Sequence, residues 1–96
     1  MNYTKTTLQK LEMIFNEQHY SIRYEKGNFQ SGYCLVQNNK VVVVNKFFDT
    51  EGRINVLLDI LSLIVVMEDL LSEKSKVFFK QVLKNQQTLQ LSLIHI

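Results

Sequence analysis

An α+β fold in the order helix, three strands, two helices (α-β-β-β-α-α), with the strands in a mostly antiparallel sheet, is predicted by three stretches of this sequence. In Thr4 to Glu17, apolar residues recur at helical spacing. From Tyr20 onward the period drops to two, and Asn38-Asn39 separates two short strand-like runs. Val41 to Met67, VVVVNKFFDTEGRINVLLDILSLIVVM, reads as a strand, a turn and a mostly apolar helix. The rest of the chain is organised around that last stretch.

Leu8, Leu11, Ile14 and Phe15 share one face of the first helix, away from Lys5, Lys10, Glu12 and Glu17, and Thr4 or Thr6 is its expected N-cap. Met13 falls on the polar side. Tyr20, Ile22 and Tyr24 then alternate with Ser21, Arg23 and Glu25, the pattern of a half-buried strand. Lys26 to Gly32, KGNFQSG, is a glycine-bounded loop. Gly27 and Gly32 have the spacing of the outer glycines of a phosphate loop, but Tyr33 and Cys34 stand where Lys and Ser/Thr are needed, so a plain loop or bulge is expected. Phe29 at its tip is read as folded back on the sheet. Tyr33 to Gln37 is the second strand, Asn38-Asn39 a two-residue turn, and Lys40 opens the third.

Val41 to Val44 is four β-branched residues in a row, as in a strand buried on both faces. Asp49 or Thr50 caps the next helix, read as Ile54 to Met67, in which Asn55, Asp59 and Ser62 form a narrow polar stripe. Asp59 interrupts the apolar run, which is too short for a membrane span of about 20 residues. Ser72 starts a last helix with Phe78, Phe79, Val82, Leu83 and Leu89 on one half of the wheel. Lys76, Lys80, Lys84 and Gln87 occupy the other.

Ninety-six residues, 46% hydrophobic and 21% charged, make one ordered domain, placed at 1–90. A net charge of +2 gives no argument for nucleic acid. The single cysteine, Cys34, excludes an internal disulfide and any multi-cysteine metal site, and it reads best as a small core thiol. His19, the only credible base to activate it, has no second partner in sight. The N-terminus NYTKTTLQKLE is polar rather than basic then apolar, so no signal peptide and a reducing cytoplasm are expected. Leu91 to Ile96, LSLIHI, back-translates to a sequence similar to a transposase-based sequencing adapter. It is treated as a non-native tail and kept out of the fold.

The order helix, strand, loop, hairpin, then strand, turn and apolar helix resembles the minimal core of the ImmA/IrrE-type zincin metallopeptidases. There a strand of the form IIVN leads through a short turn to a helix bearing HExxH, as VVVVN leads here through KFFDTEGR. The resemblance covers roughly residues 20 to 65. It implies that the HExxH window falls on Leu58-Asp59-Ile60-Leu61-Ser62, with Leu58 and Ser62 at the ligand positions and Asp59 at the general-base position. Leucine cannot bind zinc and serine rarely does, so no metal and no cofactor are expected. GYCLVQNNKVVVVNKFFDTEGRINVLLDIL is also similar to small bacterial proteins, a family without a function.

The function expected is a non-catalytic binding or protein-interaction module on a zincin-like scaffold that lacks the metal ligands. The alternative is an enzyme or a small-ligand or anion site at the turn from Asn45 and Lys46 to Arg53, extended by Asn55 and Asp59. A third reading is weak binding of nucleic acid or an acidic partner through Lys76, Lys80 and Lys84. The second helix is too apolar for its neighbours to cover, so a homodimer or protein partner is expected, touching Leu58, Leu61 and Val65 on one helix face.

Overall fold

Residues 3–26, 33–36 and 38–94 are described in a computed structural model, with side chains over 3–26 and 38–84. Helix α1 runs Lys5–Glu17 behind Thr4, whose Oγ1 accepts the Thr7 N–H at 3.3 Å. Its stripe of Leu8, Leu11, Ile14 and Phe15 is buried, as the spacing predicts. The helix stops because His19 takes a left-handed conformation, φ 66°. His19 N–H then bonds Asn16 O at 3.0 Å and Tyr20 N–H bonds Phe15 O at 2.9 Å, the paired bonds of a Schellman ending. The Tyr20 ring meets Phe15 edge-on, 6.2 Å between centroids.

Three strands follow: β1 Ser21–Glu25, β2 Tyr33–Val36 and β3 Val41–Asn45. Their order is β1-β3-β2, with β3 antiparallel to β2 (Val36 opposite Val41) and parallel to β1 (Ser21 opposite Val41, Glu25 opposite Asn45). The expected mostly antiparallel sheet is therefore corrected: the sheet is mixed. Hydropathy places strands but not their neighbours. The link between β1 and β2 is long enough to step over one strand, so the all-valine β3 takes the centre and β1 reaches its far edge. Val42 and Val44 are fully buried beneath the helices, whereas Val41 and Val43 on the other face are half-buried. The valine run is thus fully buried on one face, not two.

The β2–β3 link is also corrected. Residues 37–40 all lie between Val36 and Val41, and the left-handed residue is Lys40, φ 52°. A loop of this length is usually built on an ordinary type I turn, which needs no positive φ at Asn38 or Asn39. Gly27, Phe29 and Gly32 lie outside the described residues, as does the side chain of Cys34.

Helix α2 runs Thr50–Leu61, capped by Asp49, whose Oδ1 accepts the Gly52 N–H at 2.8 Å. A Cβ on Gly52 would lie 3.1 Å from that oxygen, so a larger residue would press on the cap. Ile54, Val56, Leu57, Ile60 and Leu61 are buried. The helix ends six residues before Met67, the end read from the sequence. Ile64-Val65-Val66 is a β-branched run that loses side-chain freedom in a helix. A competing bond also waits for the chain: the buried Gln18 carboxamide, 3% exposed, takes the Met67 N–H at 2.7 Å and donates to the Met67 C=O at 3.0 Å. Ile64 and Val66 fold back on the core while Leu63, Val65 and Met67 face out.

A 3-10 turn, Glu68–Leu70, leads to helix α3, Glu73–Ile94. Ser72 Oγ accepts the Ser75 N–H at 3.3 Å, and Glu17 Oε2 accepts the Ser72 N–H at the same distance. A carboxylate at that end is also favoured by the helix dipole. Leu71, Phe78, Phe79 and Val82 join the core formed by α1, α2 and β3. α3 continues through most of the suspected tail, Leu91 to Ile96, but the packing of that tail lies outside the described side chains.

Gln18 is predicted to hold residues 64–67 in place. Gln18→Ala removes two bonds made from a buried site and should cost about 1–3 kcal/mol. Urea denaturation measures the loss, and amide exchange at Met67 should rise far more than at Ile14 in the middle of α1. A variant within 0.5 kcal/mol of the native protein, with Met67 still protected, would remove this account of where α2 ends.

Candidate functional site

The turn from β3 into α2 holds the residues that sequence marked for ligand binding, and most of them are already engaged. Asn45 Oδ1 accepts the Phe47 N–H at 3.0 Å, shaping the turn. Arg53 reaches back from the first turn of α2: its Nε donates to Phe48 O at 3.0 Å and its Nη2 to Lys46 O at 2.8 Å. Its guanidinium lies 4.3 Å from the centre of the Tyr24 ring. Tyr24 in turn donates its hydroxyl to Glu12 of α1. Arg53 therefore ties the turn to β1, and Tyr24 ties β1 to α1. Lys46 extends over the exposed Phe47 ring, 5.5 Å from its centre.

Asn55 and Asp59 are exposed on the outer face of α2, and Arg53 spends its described bonds on the two turn carbonyls and the Tyr24 ring. Neither Asn55 nor Asp59 lines either of the two grooves described below. In the window that the zincin resemblance marks, Leu58 is half-buried and Ser62, just past the end of α2, donates its hydroxyl to Asp59 O at 2.6 Å. Among the described residues, no group of three or more His, Cys, Asp or Glu is placed to hold a metal, and no helix is long and apolar enough to cross a membrane. On α3, Lys80 and Lys84 are exposed and Lys76 is half-buried.

The expected contact face of Leu58, Leu61 and Val65 does not form. Leu61 is 5% exposed and belongs to the core, Leu58 packs partly against it, and Val65 lies beyond the helix at 87% exposure. The three share a face only in a helix that continues to Met67, and α2 ends at Leu61.

A different surface takes its place. Leu63, Val65, Met67 and Leu70 are all large, apolar and exposed within eight residues of chain. They border a groove of about 400 Å³ that is completed by Gln18, His19, Tyr20 and Lys40. Both left-handed non-glycine residues of the described chain, His19 and Lys40, lie on this groove. Backbone held in that region costs about 1–3 kcal/mol and tends to gather at functional sites. A second groove of about 380 Å³ lies between α1 and α3, lined by Lys10, Met13, Lys74, Val77 and Phe78. Sequence reading missed the first surface by extending α2 through it. The signal was present in Ile64-Val65-Val66, a run better suited to extended chain than to a helix end.

Burial raises the pKa of Tyr24 above the ordinary tyrosine value, the bond to the Glu12 carboxylate and its negative charge raise it further, and Arg53 works in the opposite direction. A group whose folded pKa is raised contributes stability below its unfolded value, here 10.0, and loses that contribution as pH climbs beyond it. The native protein should therefore lose more stability between pH 9 and pH 11 than Tyr24→Phe does, by at most about 1 kcal/mol after solvent screening of a half-buried ring. Parallel urea titrations measure the difference. Equal losses in the two proteins would mean that the hydroxyl is as easily ionised folded as unfolded.

No protein-family model, no curated protein and no solved structure matches this chain.

Proposed function

We propose that the chain is a non-catalytic protein-interaction module whose contact surface is the apolar segment Leu63–Leu70. One observation carries this reading: four large apolar side chains stand exposed within eight residues of chain that Gln18 anchors from within at Met67. Exposed apolar side chains scattered singly need no explanation, whereas a cluster beside a groove marks a contact site. The basic turn supports the reading in another way. Arg53, Asn45 and Asp49 are occupied in holding backbone, as in a scaffold rather than a reaction centre. A zincin-like core with Leu58 and Ser62 in place of ligands would suit such a scaffold.

A photo-reactive amino acid placed at Val65 tests the proposal in the cells from which the gene comes. Expected is a protein adduct at position 65, to a second copy or to another protein, and none from Asn55 on the exposed face of α2. Equal labelling from both positions, or no protein adduct from Val65, overturns the proposal.

A further inference from the structure

We infer that the groove between α1 and α3 is a second docking surface, and that its partner is an acidic amphipathic helix. The inference stands apart from the Leu63–Leu70 surface and uses none of its residues. Glu17 of α1 accepts the Ser72 N–H, and the Lys10 ammonium lies 5.6 Å from the centre of the Phe78 ring, so the two helices run antiparallel. Phe78 and Ser75 are buried and form the floor of the groove. The Ser75 hydroxyl is already bonded to that of Ser72 at 3.1 Å, which leaves the floor mainly apolar contact to offer. Met13 on α1 and Val77 on α3, 49% and 60% exposed, form apolar walls. Lys10 stands on one wall and Lys74 on the other.

Charge and backbone chemistry select the occupant. Among the described residues neither Lys10 nor Lys74 has a carboxylate within ion-pair distance. The two carboxylates of α1 are engaged elsewhere, Glu12 by the Tyr24 hydroxyl and Glu17 by the Ser72 N–H. The groove is therefore lined by two cations and no anion around an apolar centre. A partner with carboxylates on both flanks of an apolar stripe complements all of this. Its backbone must satisfy itself, because both walls are helices whose own N–H and C=O groups bond internally. A strand would leave its backbone unpaired there, whereas a helix brings its bonds with it. From Lys74 to Gln81 the groove is about 10 Å long, which seats roughly two turns of helix. Apolar side chains at i, i+3, i+4 and i+7 enter between Met13 and Val77, and Asp or Glu beside them reaches Lys10 on one flank and Lys74 on the other. The contact is small and its charges are exposed, so binding is weak and falls with salt.

A displayed library of helical peptides tests the inference, with leucine fixed at i, i+3, i+4 and i+7 and the flanking positions randomised. Sorting against the full native chain should enrich Asp and Glu on both flanks. The double variant Lys10→Glu, Lys74→Glu should bind those peptides about tenfold more weakly, and sorting against it should enrich Lys and Arg instead. Lys10 and Lys74 are exposed, so the variant should melt as the native protein does. Lys74→Glu alone, which leaves Lys10 over Phe78, should lose part of the affinity. Methyl shifts of an enriched peptide complex should move Met13 and leave Met67 unchanged. Enrichment with no acidic preference, no enrichment at all, or undiminished binding by the double variant overturns the inference. Peptides that move Met67 rather than Met13 keep the Leu63–Leu70 surface and remove this one. Vesicles of phosphatidylcholine and phosphatidylglycerol that sediment the native chain but not the double variant overturn it as well, because the face then belongs to a lipid surface.

Discussion

A buried carboxamide has to bond something, and much of this structure follows from what Gln18 bonds. It lies just past the end of α1, where its amide oxygen and nitrogen would be costly to leave unpaired. By taking both backbone groups of Met67 it draws the chain out of α2 and across the end of the core. Ile64 and Val66 are thereby pressed onto apolar neighbours, and the chain is redirected toward the start of α3. Glu17, one residue earlier, receives that start at the Ser72 N–H. Adjacent residues at the end of α1 thus set the course of everything after Leu61.

The turn between β3 and α2 shows a similar economy. Its basic residues suggest an anion site at a helix N-terminus, but the geometry gives them other work. The Asp49 side chain already occupies one of the N–H groups that an anion would use, that of Gly52. Arg53 is planar and offers several donors, so it can bond two carbonyls while lying against the Tyr24 ring. A lysine could not do both. The Glu12–Tyr24–Arg53 chain joins three elements that are distant in sequence, and so fixes the sheet relative to α1 and α2.

Local pattern was legible in the sequence wherever one residue type decides the outcome. Thr4, Asp49 and Ser72 cap helices as their chemistry predicts, and Leu8, Leu11, Ile14 and Phe15 are buried as their spacing predicts. The failures share a cause. The partners of β1, the end of α2 and the fate of Arg53 are each decided by a residue far away in sequence: β3 for β1, Gln18 for Met67, Tyr24 for Arg53. Periodicity within a window cannot see those partners. The left-handed Lys40 was hidden for a local reason, since two asparagines beside it are better candidates for positive φ by type. The candidate contact surface is hidden by a helix period that runs on through it, and Val65 is exposed because α2 ends at Leu61 rather than as part of a helix face.

Gln18 holds Met67 by its backbone and touches no feature peculiar to methionine. Any residue but proline presents the same N–H and C=O, so the fold places little demand on the identity of position 67, and the outward direction of Val65 relaxes it there too. The core is fixed by one set of residues and the display by another. Substitutions at these two outward positions can therefore accumulate at little cost to folding while the scaffold beneath stays constant.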